Sequence, residues 1–161
     1  MTQFLRRLVP VLLLGLCLAG AQARAATATG SMVVSATVLS TCLVAVLPMA
    51  FGNYDATEND AQADVTVTCT GTTPWTLDID GGGSGSISAR EMTDGGSETL
   101  GYQLYTDAGR TTVFGDGVTG DTVAGTGTGL AQTVTVYGRV PASQFPAAGA
   151  YTDTVTVTLT Y

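Results

Sequence analysis

Three cysteines, Cys17, Cys42 and Cys69, are the residues of this 161-residue chain whose chemistry is easiest to anticipate. The chain contains no histidine, and cysteines without histidine make a poor zinc site at this number and spacing. Cys17 lies in a segment that we expect to be removed on export, which leaves Cys42 and Cys69 as an even pair in an oxidising compartment. We therefore predict a Cys42–Cys69 disulfide, with two free buried thiols as the alternative.

Residues suited to catalysis are scarce. Because the chain has neither histidine nor lysine, the usual arrangements of nucleophile and base are absent. A carboxylate pair could hydrolyse a sugar linkage, and Asp78 and Asp80 share one face of a predicted strand. The other face of that strand is apolar, so we interpret these carboxylates as an ordinary solvated face. The prediction is that the protein is not an enzyme.

Two acidic turns, at residues 78–81 and 116–117, offer oxygen atoms that calcium could use. Neither is followed by a twelve-residue ligand pattern, so hairpin turns are the better interpretation. The glycine run at 81–85 lacks the lysine and the following helix of a phosphate-binding loop, which indicates a flexible connection. We predict no metal and no cofactor.

The first 25 residues have the pattern of a secretory signal peptide. Arg6 and Arg7 precede an apolar run at 8–19, and small-residue cleavage signals end at Ala23 and Ala25. The run is too short to span a bilayer comfortably. After cleavage at Ala25, 3 arginines would face 13 acidic residues, a net charge of −10. Such an acidic surface argues against nucleic acid as a partner, because binding phosphates needs a basic one.

Alternation of apolar and polar residues dominates the rest of the chain, and Thr and Val are heavily used. Glycine, proline, aspartate or asparagine bounds each alternating run. The pattern predicts strands at 63–69, 75–80, 100–106, 130–140 and 151–161. No amphipathic helix is apparent beyond a turn near 142–145. Short alternating strands with glycine-rich connections predict an all-β fold, an antiparallel sandwich.

The cysteines agree with this pattern. Cys42 shares the parity of the apolar residues that precede it, and Cys69 lies on the apolar face of its strand. Both sulfur atoms should then point inward and join two neighbouring strands at the core.

Both ends of the expected mature chain are unusual for a self-sufficient domain. Residues 26–39 form a long strand-like stretch, one face of which begins with Ala28, Gly30, Met32 and Val34. The closing stretch alternates to the last residue through Val155, Val157, Leu159 and Tyr161. Because unpaired apolar edges promote aggregation, we expect another chain to pair with these ends. Pairing of the two ends with each other is the alternative.

Four stretches resemble one known family: 34–42 running into the first cysteine, 64–70 around the second, the Tyr-x-Leu-Tyr-x-Asp segment within 100–117, and the closing run 149–161. On these stretches the chain resembles spore coat U domain proteins, the group that contains subunits of archaic chaperone–usher pili. The region 116–129, rich in glycine and threonine, departs from the family pattern.

The resemblance implies an immunoglobulin-like β-sandwich that is incomplete, lacking its last strand. Residues 36–161 would form this domain and residues 26–35 an N-terminal donor strand. A periplasmic chaperone would first lend a strand beside the acceptor residues Val155, Val157, Leu159 and Tyr161. At an outer-membrane usher, the donor strand of a neighbouring subunit, carrying Ala28, Gly30, Met32 and Val34, would replace it.

Head-to-tail donation does not close on itself, so the implied product is a fibre on the cell surface that serves adhesion or biofilm formation. The alternative function is that of a self-contained secreted β-sandwich, either a binding module, for example for carbohydrate, or a coat protein. That protein would have the same fold but would complete its own sheet.

Overall fold

A computed structural model describes residues 24–161, so the expected signal peptide lies outside the described residues except for its last two. The chain divides into one unit that ends at Ala36 and a second that spans Thr37–Tyr161. Within the described part, regular structure consists of β-strands and one 3-10 turn, Gly82–Ser84. No helix among these residues has the length and apolar character needed to cross a bilayer.

Eight strands form two antiparallel sheets in the second unit, which confirms the all-β antiparallel prediction. The larger sheet has the order β1-β2-β7-β5-β4 and the smaller the order β6-β3-β8. The strands are β1 (Cys42–Val46), β2 (Asn59–Cys69), β3 (Pro74–Ile79), β4 (Arg90–Thr93), β5 (Thr99–Tyr105), β6 (Val123–Thr126), β7 (Ala131–Val140) and β8 (Val157–Thr160).

One hydrophobic core joins the two sheets. Val65 and Val67 of β2 and Leu77 and Ile79 of β3 are buried in the same cluster, although they belong to different sheets. These residues alternate with threonine and aspartate along their strands, so one face of each strand enters the core and the other faces out. The sheets therefore pack face to face as a sandwich.

A disulfide joins Cys42 and Cys69, which are direct partners in the antiparallel register of β1 and β2. Both residues are buried, as their parity predicted. The adjoining loop adds two hydrogen bonds: the Thr70 amide donates to the Thr41 carbonyl at 2.9 Å, and the Thr41 amide donates to Thr70 Oγ1 at 3.2 Å. This corner therefore holds the first residue of β1 in place.

Strand boundaries at the two ends differ from the sequence expectation. Residues 24–41 have no regular secondary structure and exposed side chains, and the first strand begins only at Cys42. At the other end β8 covers Val157–Thr160, whereas the predicted strand began at 151. Thr152 makes an isolated antiparallel bridge with Thr93 of the other sheet, so residues 153–156 cross between the sheets.

The glycine run at 81–85 is an ordered turn and not the flexible connection that its composition suggested. The Gly82 amide donates to Asp80 Oδ1 at 2.9 Å, and the Gly83 amide donates to Asp153 Oδ1 at 2.8 Å. At Gly81 an added Cβ would come within 2.7 Å of the Ser86 backbone, so the tight path of the chain requires glycine there.

Removal of the disulfide should lower the free energy of unfolding by about 3 kcal/mol, because the bond restricts the unfolded chain between two residues 27 apart. Urea denaturation of the oxidised protein and of the double variant Cys42→Ser/Cys69→Ser measures this difference. The unsubstituted protein in excess reductant is the control and should match the variant. Equal unfolding free energies for the oxidised protein and the variant would contradict the prediction.

Candidate functional site

Among the described residues, β1 and β8 each leave one edge of the sandwich without a partner strand. β1 pairs only with β2, and β8 pairs only with β3. Of the other two sheet ends, β4 carries the bridge to Thr152, and β6 contributes no residue to the apolar cleft described next. The open edges of β1 and β8 are therefore the places where a further strand could add.

A cleft of about 350 Å³ lies between these two open edges. Val46 and Leu47 form one wall at the end of β1, and Val155 and Val157 form the other wall where the chain enters β8. The floor consists of core residues from both sheets, including Val65, Ile79, Leu104 and Val136. The cleft thus opens directly into the hydrophobic core.

Apolar side chains on the β1 wall face the core side of the sheet but lack a cover. Val44 and Val46 stand opposite Val67 and Val65 in the β1–β2 register, so each pair points to the same face. Val65 and Val67 are 1% and 0% exposed, whereas Val44 and Val46 are 40% and 51% exposed. In the described part of the chain, the core-facing side of β1 is therefore much less covered than that of β2.

The β8 wall shows the same deficit. Val157 and Leu159 stand opposite the fully buried Ile79 and Leu77 of β3, yet they are only partly buried themselves. The Asp80 amide donates to the Thr156 carbonyl at 3.1 Å, and antiparallel pairs alternate in hydrogen bonding. It follows that the even-numbered residues of β8 direct their backbone groups to β3. Val157 and Leu159 direct theirs to the open edge.

The structure places the sequence-predicted acceptor residues as follows. Val155 and Val157 line the cleft, and Leu159 lies further along the same face of β8. Tyr161 follows the end of β8 and is exposed. Three of the four residues thus share one apolar wall.

The sequence-predicted donor residues belong to the first unit of the chain. Ala28, Gly30, Met32 and Val34 have no regular secondary structure, and their side chains are exposed. Met32 and Val34 are each 86% exposed, although both are large and apolar.

Arg90, in β4, is an important residue of the cleft region that the sequence did not reveal. It is 1% exposed, and its guanidinium donates to the carbonyls of Ile79, Asp80 and Phe114 at 2.8–2.9 Å and to Gln103 Oε1 at 2.6 Å. Burial lowers the pKa of Arg90. The nearby side chains of Tyr102, Asp80 and Asp153 act to raise it, and the arginine keeps its charge. A short polar stretch such as residues 90–93 gives no sequence signal for a buried cation.

Two carboxylates hold the segment that crosses between the sheets. Asp153 Oδ2 accepts a hydrogen bond from the Tyr102 hydroxyl at 2.6 Å, and Asp80 Oδ1 accepts one from the Thr156 amide at 2.8 Å. Val155 lies between these anchors, so they fix one wall of the cleft. The interpretation of Asp80 as a purely solvated residue is therefore wrong.

The pKa values of this region reflect these contacts. Burial acts to raise the pKa of Asp80, but hydrogen bonds from Thr156 and Gly82 and the charge of Arg90 outweigh it, so the pKa is lowered. Burial, followed by the hydrogen bond to Asp153, raises the pKa of Tyr102. Both groups therefore keep their ordinary charge states at neutral pH, Asp80 ionised and Tyr102 protonated.

Among residues 24–161, no three or more aspartate, glutamate, cysteine or histidine side chains come together in a group that could hold a metal ion.

An all-β sandwich with an apolar cleft between two open edges defines the class of this protein as an immunoglobulin-like β-sandwich, and a solved structure agrees. A chain in the crystal structure of the CsuC–CsuE chaperone–tip adhesion subunit pre-assembly complex, from archaic chaperone–usher Csu pili of Acinetobacter baumannii, has the same fold. The TM-score is 0.57 at 23% identity, over 78% of this chain and 40% of that chain.

The sequence then specifies the family. The model of the Spore Coat Protein U domain matches residues 28–158, and the chain belongs to this family, which confirms the predicted resemblance. Protein U of Myxococcus xanthus is 31% identical over 134 residues, which are 83% of this chain and 59% of protein U. The chain thus spans less than two thirds of the length of protein U and of that Csu chain.

Arg90→Lys should lower the free energy of unfolding by about 1–3 kcal/mol, because an ammonium group cannot reach all the acceptors of the guanidinium and leaves a buried carbonyl unpaired. The matched control is Arg139→Lys, whose ion pairs with Glu58 and Asp60 are partly exposed, and it should cost less than about 1 kcal/mol. Chemical denaturation of both variants measures the difference. An Arg90 variant as stable as the Arg139 variant would show that the buried network contributes nothing specific.

Proposed function

We propose that this chain is a structural pilus subunit that polymerises by donor-strand exchange after capture by a periplasmic chaperone. The apolar cleft between the open edges of β1 and β8 is the observation that carries this proposal. A strand inserted there would pair with the open edge of β8 and cover Val44, Val46, Val155 and Val157. Main-chain hydrogen bonds would supply affinity and alternate side chains would fill the cleft.

The N-terminal stretch 26–35 has the properties of the inserted strand. It contains no charged residue, and its even-numbered positions Ala28, Gly30, Met32 and Val34 are apolar or glycine. The exposure of Met32 and Val34 leaves them available to a neighbouring subunit. Burial of either side chain contributes roughly 1.5–3 kcal/mol to binding, and the backbone hydrogen bonds of the added strand contribute the rest of the binding free energy.

The partners of this process follow from the proposed mechanism. An exposed apolar cleft is an aggregation hazard, so a periplasmic chaperone would cover it until assembly at an outer-membrane usher. The solved structure with the same fold is a chaperone–subunit pre-assembly complex, which supports a chaperone partner. The assembled subunits would form a head-to-tail fibre on the cell surface, where it would serve adhesion or biofilm formation.

The family name favours a second candidate, a spore coat protein that does not depend on exchange between subunits. In that case the cleft would be filled from within the same chain, or would bind a ligand such as a carbohydrate. The two candidates assign different roles to the N-terminal stretch. As a donor strand it is required for polymerisation but not for capture by the chaperone, whereas the second candidate gives it no role between subunits.

Val157→Asp should abolish capture by the pilus chaperone and leave the subunit to periplasmic degradation, because a carboxylate in the apolar cleft costs several kcal/mol. Thr158→Asp is the matched control on the adjacent residue of β8, which is exposed, and it should accumulate normally. Co-purification of each variant with the co-expressed chaperone measures capture. Normal accumulation of the Val157 variant with bound chaperone would count heavily against the proposal.

The double substitution Met32→Asp/Val34→Asp should prevent fibre formation but leave chaperone binding and the unfolding midpoint of the monomer unchanged, because both residues are exposed in the single chain. The matched control is Val33→Asp, on the opposite face of the stretch, which should still polymerise. Electron microscopy and size-exclusion chromatography measure the polymers. Wild-type fibres from the double variant would favour the self-contained alternative.

A further inference from the structure

A second cavity of about 910 Å³ adjoins the cleft. It lies between the loops at 49–56 and 144–151 and shares Met49, Phe51, Met92 and Tyr151 with the cleft. Its rim includes Phe145, which is 86% exposed. The cleft and the second cavity therefore form one continuous surface. It extends past residue 153, where the crossing segment 153–156 begins, towards the residues that precede this segment in the chain.

A second group of exposed apolar residues has no cover in the single chain. Val38 and Leu39 lie just after the proposed donor stretch, and both are largely exposed. Because the first strand begins only at Cys42, the irregular stretch does not end at residue 35. Val38 also has the parity of Met32 and Val34, so it would face the same way in an extended strand.

The apolar wall formed by Val155, Val157 and Leu159 limits how an incoming strand can align. Every strand pair among the described residues is antiparallel, and an antiparallel strand with Met32 opposite Val157 would place Val34 opposite Val155. Ala36 would then face Asp153, whose carboxylate is engaged with Tyr102. A shift of two residues in either direction would instead place a valine, Val34 or Val38, against this carboxylate.

The same alignment matches side-chain sizes along the whole edge. Gly30 would stand opposite Leu159 and Ala28 opposite Tyr161, so the smallest donor residues meet the largest acceptor residues. At the other end the added strand would follow the crossing segment 153–156 beyond β8, and this path would bring Val38 to Tyr151, where the cleft joins the second cavity.

From this alignment we infer that the donated segment runs on to Leu39. Val38 of one copy packs into the second cavity of the next copy, against Tyr151 and Phe145, and Leu39, on the opposite face of the strand, ends the donated segment. This inference rests on the proposed strand exchange and adds to it a contact between subunits outside the cleft. An added strand that ran parallel to β8 would leave at the Tyr161 end and would never reach this cavity.

Photo-crosslinking of fibres tests the inference directly. The mature chain would carry p-benzoylphenylalanine in place of Phe145, and mass spectrometry would locate the crosslink after illumination. We expect crosslinks to residues 36–41 of another copy. The control probe replaces Val118, which is exposed on a turn that lines neither cavity, and should not react with that segment.

A synthetic peptide of residues 26–35 separates this inference from the proposed function. The peptide should bind equally well to the chain and to its Phe145→Ala variant, whereas fibres of the variant should dissociate at a lower temperature than wild-type fibres. Fibres that form but show no crosslink to 36–41 would overturn the inference alone. Failure of the chain to bind the peptide or to form fibres would overturn the proposed function, and the inference with it.

Discussion

The open edge of β8 is the constraint on which the rest of this structure depends. Val157 and Leu159 direct their backbone groups away from β3, and their side chains form a wall that is only partly buried. Backbone groups can be satisfied by water at an exposed edge, but they cannot be left unpaired once the apolar wall is covered. Any element that covers the wall must therefore be a strand, because only a strand supplies both the hydrogen bonds and the alternating side chains.

The polar network beneath the cleft gives this wall its shape before any partner arrives. Arg90 ties the end of β3 to β4 and to the Phe114 loop, and Asp80 and Asp153 hold the two ends of the crossing segment. Buried networks of this kind are costly when incomplete, so they tend to fix one arrangement. A wall held in advance loses little conformational freedom when it is covered, which favours tight association.

Alternation in the sequence was sufficient to predict the central strands β2, β3, β5 and β7, because one face of each is buried and the other exposed. The alternation did not predict β4 and β6, because each has only four residues and a polar or glycine-containing composition. The network around Arg90 could not be foreseen, since it joins residues far apart in sequence through backbone carbonyls. The apolar pattern at 26–39 indicated a strand, but these residues have no regular secondary structure in the single chain.

The disulfide has a mechanical consequence in the proposed fibre. Each junction would be held by a donated segment that ends near Leu39, so tension along the fibre would enter the next domain just before Cys42. Cys42 and Cys69 are the outermost pair of the β1–β2 ladder, which is the pair where a pulling force would begin to unzip the strands. A covalent bond at that position passes the load into β2, which is paired on both sides. The edge strand β1 is thereby shielded from a force that enters through the segment preceding it.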